Sequence, residues 1–375
     1  MAMRDSFREI AQFMDSVVTP TGLRELIDIH RWHPEYPEEE KSFRVIHNRH
    51  NSGLSVEQSF LFLNTYLMDV KGATGLIDTF FNTSKPAVND RAVKIGELVR
   101  DNYDIALLTE IFEDNIKDKV LNVWSARNKP FVIEDSKWST QKSSGLVNIV
   151  NVSLNRPRII LYHEKLIHNF DAESSLWEDG LAAKGIMMSR IGVESTEASI
   201  ELYNTHLDAS DASVRTAQVA EIVQFIIDTH KEENVVILAG DFNIGSRTDE
   251  YINLITSLES LGLKDIWAER NRTPGYTTLP GDDDIIVGNQ VCQRDDDNSQ
   301  FCDDFNVPSL DSYLDSRRID YIFISNPSSS HAFDIDYTRP RRIRHKRRSD
   351  APDLDKITFL SDHFGLTTTL QIVPR

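Results

Sequence analysis

The sequence predicts an α/β domain of layered sheets, and three observations carry that expectation. Apolar runs of strand length recur along most of the 375 residues, and amphipathic segments at helical spacing interleave with them. Neither an internal repeat nor a coiled-coil heptad interrupts the pattern. A composition of 40% hydrophobic and 27% charged residues belongs to a globular chain able to bury one large core or two modest ones, which excludes global disorder.

Residues 1–58 read differently from the rest. Phe7, Ile10, Met14 and Val17 recur at helical spacing, "TPTG" breaks that pattern, "GLRELIDIH" offers a second short helix, and "HPEYPEEEK" is a polar loop. So few apolar residues cannot make a separate core, so 1–58 is expected to be a helical and loop extension packed on a main domain spanning 59–375. In that domain "SFLFLNTYLM" is an apolar run, "DRAVKIGELVRDN" is amphipathic with Ala92, Ile95 and Leu98 at helical spacing, and "DIALLTEIF" is apolar again. Further strands follow in "LVNIVNVSL", "RIILYHE", "GIMMSRIGV" and "ASIELYNTHLD". A helix "SVRTAQVAEIVQFIIDTH" precedes the strand "NVVILAGDFN", a helix "YINLITSLESLG" comes next, and "RIDYIFIS" and "FGLTTTLQIV" close the chain. About ten strands with a few helices imply buried sheets in layers.

Charge narrows the function classes. A net charge of −18 repels phosphates at long range, so any polyanion must be captured locally. One local exception is "RPRRIRHKRR", Arg339 to Arg348, which holds seven Lys/Arg and no acid, leaving −18 − 7 = −25 for the remainder. It reads either as a phosphate contact, on lipid or nucleic acid, or as a solvated loop. No stretch approaches the ~18 to 20 apolar residues of a spanning helix, and the opening "MAMRDSFREIAQFMDSVV" has acids where a signal peptide is apolar, so a soluble protein, cytoplasmic by default, is expected. Cys292 and Cys302, inside "VCQRDDDNSQFC", are too few for a disulfide-dependent scaffold; they either staple a short acidic loop or remain thiols.

The strand ends carry the chemistry. In "VVILAGDFN" alternate side chains share a face, so Asp241 and Asn243 are expected to point together, Phe242 into packing, and Gly240 to open the backbone to a ligand. A carboxylate and an amide there suit a metal, a phosphate or a water, and equally a polar turn. "YNTHLD" repeats the arrangement with Asn204, His206 and Asp208, and "DIALLTE" ends in Glu110, a carboxylate costly to bury unless paired or metal-bound. "FLSDHFG" sets Asp362 and His363 before a strand, and "RRIDYIF" begins another with Asp320; a histidine with a carboxylate orienter is what a general base requires.

The ordered set of Asn64 in "FLNTYLM", Glu110 in "LLTEIF", "NTHLD", "GDFN", "RIDYIF" and "SDH" resembles the endonuclease/exonuclease/phosphatase superfamily, the DNase I-like metal-dependent phosphodiesterases, from about Ser59 to the C-terminus. That resemblance implies a four-layer sandwich of two packed, mainly antiparallel β-sheets flanked by helices. It implies that Glu110, assisted by Asn64, holds Mg²⁺, with Mn²⁺ or Ca²⁺ as alternatives. It further implies that His363, oriented by Asp320 or by Asp362, takes a proton from the attacking water, that Asp241 and Asn243 position water and phosphate, and that His206 donates to the phosphoryl oxygens.

The segment "DGLAAKGIMMSRIG" resembles the Lys-Gly segment of neutral and bacterial sphingomyelinases, with Lys184 and Gly185 carrying the match. This implies a phospholipid headgroup as substrate and a peripheral membrane contact, with Lys184, Arg341 and Arg342 as phosphate contacts; no obligate protein partner is visible. Residues 281–304 depart from that branch, being acidic where secreted members carry an aromatic hairpin. The alternatives are a DNase I-like nuclease using the basic run as a clamp, a phosphatase of inositol phosphates or phosphoinositides, and a scaffold without catalysis, which the full set of motif residues disfavours.

Overall fold

A computed structural model describes residues 56–65, 67, 88–125, 130–134, 144–151, 159–174, 183–193, 199–278, 293–294, 300–301, 317–328, 330–331, 333–343 and 360–374. Residues 1–55 of the expected N-terminal extension, both cysteines and most of the acidic segment lie outside these residues, while 56–58 belong to the first strand of the domain.

Two sheets pack face to face. The first holds β1 (Val56–Asn64), β2 (Ile105–Thr109), β3 (Phe131–Glu134) and β4 (Val147–Val150). β5 (Ile159–Asn169), β6 (Gly185–Val193), β7 (Ser199–His206), β8 (Val235–Asp241) and β9 (Leu263–Asp265) belong to the second, and a two-stranded ribbon, β10 (Gln293–Arg294) and β11 (Gln300–Phe301), stands apart. β12 (Asp320–Ser325) joins the second sheet, while β13 (Phe333–Tyr337), β14 (Arg341–Ile343) and β15 (Gly365–Pro374) return to the first. The orders are β13-β15-β1-β2-β4-β3, with β14 also on β15, and β5-β6-β7-β8-β12-β9. Among the described strands, only the β1–β2 and β7–β8 pairs are parallel. Each is bridged by a long helix, α1 (Val88–Asn102) or α3 (Ala212–Thr229), as a parallel crossover demands. The flanking helices are completed by α2 (Asp114–Leu121), α4 (Asp249–Glu259) and α5 (Ile266–Arg270).

Strand alternation sorts the core into layers. In β1, Phe60 and Phe62 face the partner sheet, where they meet Ile200, Leu202, Ile237 and Ile322, whereas Leu61 and Leu63 turn outward onto Ala92, Ile95 and Val99 of α1. In β8, Val235, Ile237 and Ala239 face inward while Val236 and Leu238 pack under Ile222 and Ile226 of α3. Three helix starts are capped by side chains: Asp211 for α3, Thr248 for α4 and Asp265 for α5.

Of the basic run, residues 339–343 are described. Its described part includes β14, which pairs antiparallel with β15, so Arg342 lies opposite Leu366. Gly240 serves packing: a Cβ there would sit 2.4 Å from the Thr205 carbonyl oxygen of the adjacent strand. Among the described residues, no helix is long and apolar enough to cross a membrane.

Candidate active site

Register gathers the polar residues at one end of the sandwich. In the second sheet Gly185 pairs with His206, His206 with Asp241, and Asp241 with Asp320, a transverse row built from four strands. In the first sheet Asn64 pairs with Thr109, the residue before Glu110. The two rows meet where the Asn64 Nδ2 donates to Asp241 Oδ2 at 2.9 Å. His363 precedes β15, and its Nδ1 bonds Asp320 Oδ2 at 2.8 Å. Asp241, Asp320 and His363 bring ligand-type atoms within 4.8 Å of one another.

Two site residues occupy backbone conformations that side chains rarely adopt: Glu110 has φ 63° and Asn243 φ 53°. The expected strand alternation therefore stops at Asp241. Asn243 still reaches the cluster, but by a left-handed turn in which its backbone N–H donates to Asp241 Oδ1 at 2.9 Å and its amide to the Leu207 carbonyl at 3.0 Å. Phe242 is buried against Tyr321 and Phe323, as alternation requires.

Of the two orienters left open for His363, Asp320 makes the hydrogen bond. Asp362 accepts instead from the Ser361 hydroxyl at 3.3 Å and acts on His363 through its charge. Burial opposes the imidazolium, but Asp320, Asp362 and Asp241 outweigh it and hold His363 well above its ordinary pKa. Asp241 is raised to about 7 by burial and by the neighbouring Asp320.

His206, the expected donor to the phosphate, has a close partner. Lys184, only 5% exposed, lies with Nζ 3.0 Å from His206 Nε2, and an ammonium there makes that nitrogen the acceptor. Burial and then Lys184 push the His206 pKa well below its ordinary value, so the ring is neutral. His206 Nε2 also sits 3.9 Å from Glu110 Oε1 and 3.8 Å from Asp241 Oδ2. Lys184 thus brings a second donor-type group to the edge of this cluster. The other polar residues of "YNTHLD" lie elsewhere: Asn204 bridges the sheets to Leu108 and Asn148, and Asp208 accepts from the backbone of Ser210 and Asp211.

Arg341 is exposed on β14, whereas Arg342 is half-buried and stacks 4.8 Å over the ring of Phe364, next to His363. Arg91 and Ser361 were not anticipated. Arg91, 1% exposed, donates to the carbonyls of Thr65 and Leu360 at 3.2 and 2.9 Å, and Ser361 Oγ bonds the Asn64 carbonyl at 2.6 Å while accepting from the His363 N–H at 2.9 Å. Together they tie the end of β1 to the segment carrying His363. One signal for Arg91 was available: a charged residue between Val88 and Ile95 on the apolar stripe of α1.

No family model matches the chain. A sphingomyelinase of Dictyostelium discoideum is 22% identical over 263 residues, 53% of this chain and 57% of that protein, so the chain spans little more than half of its curated relative's length. Staphylococcus aureus beta toxin superposes with a TM-score of 0.57 at 16% identity, covering 83% of this chain and 99% of the toxin; a further structure of that toxin carries bound magnesium ions. TDP2 of D. rerio, solved with a single-strand DNA product, gives 0.55 at 17%, covering 84% and 98%. An endonuclease/exonuclease/phosphatase family protein of Bacteroides thetaiotaomicron gives 0.54 at 16%, covering 85% and 96%. The two packed sheets, the flanking helices and these likenesses agree: the chain has the DNase I-like fold of the endonuclease/exonuclease/phosphatase proteins.

Proposed function

We propose that the protein is a Mg²⁺-dependent phosphodiesterase that hydrolyses a phospholipid headgroup diester, in the manner of sphingomyelinases. The observation that carries this reading is the meeting of Asn64, Glu110, His206, Asp241, Asp320 and His363 at one end of two sheets. The donor set fits a hard cation: Glu110, Asp241 and Asp320 offer carboxylate oxygens, and Asn64, its amide nitrogen committed to Asp241, offers its amide oxygen. Asp320 Oδ1 is buried without a hydrogen-bond partner, and Asp241, its pKa raised by burial and then by Asp320, is a carboxyl that a cation would hold ionised. When bound, Mg²⁺ supplies Lewis-acid polarisation of a phosphoryl oxygen.

The chain's own residues divide the remaining work. Asp320 fixes His363 through Nδ1, leaving Nε2 of the neutral ring to accept a proton from the attacking water. Asn243 and Asp241 position the water and phosphate. Lys184, held by neutral His206, donates to the phosphoryl oxygens as charge develops.

The second reading is a nuclease, favoured by the arginine beside Phe364 and by the DNA product held by one structural neighbour. Both readings are tested by hydrolysis assays with Mg²⁺ or EDTA on sphingomyelin in mixed micelles and on plasmid DNA. Mg²⁺-dependent phosphocholine release without nicking supports the lipid reading, nicking alone the nuclease. Absence of Mg²⁺-dependent turnover of any phosphodiester overturns both.

A further inference from the structure

The turn that carries Asn243 is built against the segment leading into Asp320. The Phe242 N–H donates to the Ile319 carbonyl and the Ser246 N–H to the Arg318 carbonyl, each at 3.0 Å, so both ends of residues 242–246 are pinned to 318–319. Between those pins, directly after the left-handed Asn243, lies the Ile244 carbonyl. Ile244 is 1% exposed, and among the described residues the donor that reaches its carbonyl is the Tyr321 hydroxyl, at 2.5 Å. The same hydroxyl lies 2.7 Å from the Arg318 carbonyl, so its single proton is shared between the turn and the entry to β12.

The Tyr321 ring is fixed independently of that hydroxyl. It is fully buried, stacks on Phe323 and Tyr251 at centroid separations of 5.7 and 5.5 Å, and meets Phe242 edge-on at 5.6 Å. The Arg318 guanidinium lies 4.7 Å from the ring centroid and is itself held by Asp265 at 2.6 Å. Burial raises the phenol pKa well above its ordinary value, so the hydroxyl remains a donor. A phenylalanine here keeps every ring contact but leaves the buried Ile244 carbonyl unpaired, a cost that the turn relieves by shifting. Asn243 feels such a shift directly, because its N–H bonds Asp241 and its amide bonds the Leu207 carbonyl.

We propose that Tyr321 is a positioning residue for the reaction, its hydroxyl holding the 242–246 turn so that the Asn243 side chain stays placed beside Asp241. This rests on the phosphodiesterase reading above. Tyr321 acts through Asn243, and its ring packing is a separate contribution to stability. Because Tyr321 follows Asp320, which bonds His363, one hydroxyl ties the turn that positions water and phosphate to the strand that orients the base.

The test is a mutant cycle read by Mg²⁺-dependent hydrolysis of bis(p-nitrophenyl) phosphate. Tyr321→Phe is expected to lower kcat about tenfold with KM unchanged, the mark of a small displacement felt in the transition state. Asn243→Gly keeps the left-handed turn accessible and removes only the side chain. In that background Tyr321→Phe is expected to change kcat by no more than about twofold, since the group it acts through is gone. Tyr251→Phe is the control: its hydroxyl bonds Asp265 and Arg318 but nothing in residues 242–246, so its kcat should match that of the unaltered protein. Unaltered kcat in Tyr321→Phe, an undiminished loss in the Asn243→Gly background, an equal loss in Tyr251→Phe, or full kcat in Asn243→Gly each overturns the proposal. Hydrogen–deuterium exchange of the peptide spanning 242–246 gives a measure free of turnover: Tyr321→Phe should speed exchange there severalfold while β12 is unchanged. Unchanged exchange in that peptide, or faster exchange throughout the second sheet, overturns the proposal for any substrate. No turnover by the unaltered protein, with the local exchange effect present, removes the phosphodiesterase reading and the role in turnover but not the hold on the turn.

Discussion

Replacing Arg91 with methionine separates positioning from stability. The guanidinium donates to the carbonyls of Thr65 and Leu360, and two bonds from a charged donor contribute about 3 to 6 kcal/mol gross. Against this stands burial, which lowers the Arg91 pKa to about 10 even though Asp362 and Glu110 favour its charge; that fall corresponds to about 3 kcal/mol against the charged form. Methionine keeps the apolar stem and escapes that penalty, so the net loss of stability is expected to be only about 1 to 2 kcal/mol, small beside the ~5 to 15 kcal/mol of an ordinary domain. Turnover should fall further than stability does, because Thr65 follows Asn64 directly and Leu360 lies three residues before His363. A misplacement of about 1 Å costs roughly 100-fold. Urea unfolding and Mg²⁺-dependent hydrolysis of bis(p-nitrophenyl) phosphate on the same preparation measure both. Turnover equal to that of the unaltered protein, or a stability loss above about 5 kcal/mol, would refute the reasoning, and Arg91→Lys should recover part of kcat.

His363→Ala and Glu110→Ala should each lower turnover by at least about 100-fold with the far-UV circular dichroism unchanged; near-normal activity in either variant removes it from the site. Gly240→Ala should cost about 1 to 3 kcal/mol in thermal or urea unfolding, because its Cβ would lie 2.4 Å from a backbone oxygen that cannot swing away. Glu201 is fully buried; burial alone would raise its pKa, but bonds from His230, Asn234 and Arg190 hold it below its ordinary value. The unfolded chain then binds the proton first, so this stability is present above the unfolded pKa and is lost as pH falls through the folded one. Glu201→Gln should flatten that acid limb in urea titrations, and an unchanged limb would contradict the assignment.

The layered α/β class was legible because strand and helix periods reflect burial, and burial is written residue by residue. Glu110, His206 and Asp241 stood out because polar side chains ending apolar strands are costly unless they meet a partner, Asp320 and His363 as a carboxylate and a histidine at strand starts, and Asn64 through the family resemblance. Which partner each meets was not local. Asp320 rather than Asp362 holds His363, and Lys184 reaches His206, because strand register across β6, β7, β8 and β12 sets those neighbours. Alternation failed at Asn243, whose left-handed backbone ends the period-two rule. Arg91 gained its meaning only when Thr65 and Leu360, far apart in sequence, were brought together. The sequence by itself determined the elements and the polar strand ends, since period and composition are local properties. Tertiary structure alone decided the hydrogen-bond partners and the raised pKa of Asp241, since these depend on distances between segments that no single stretch of sequence encodes.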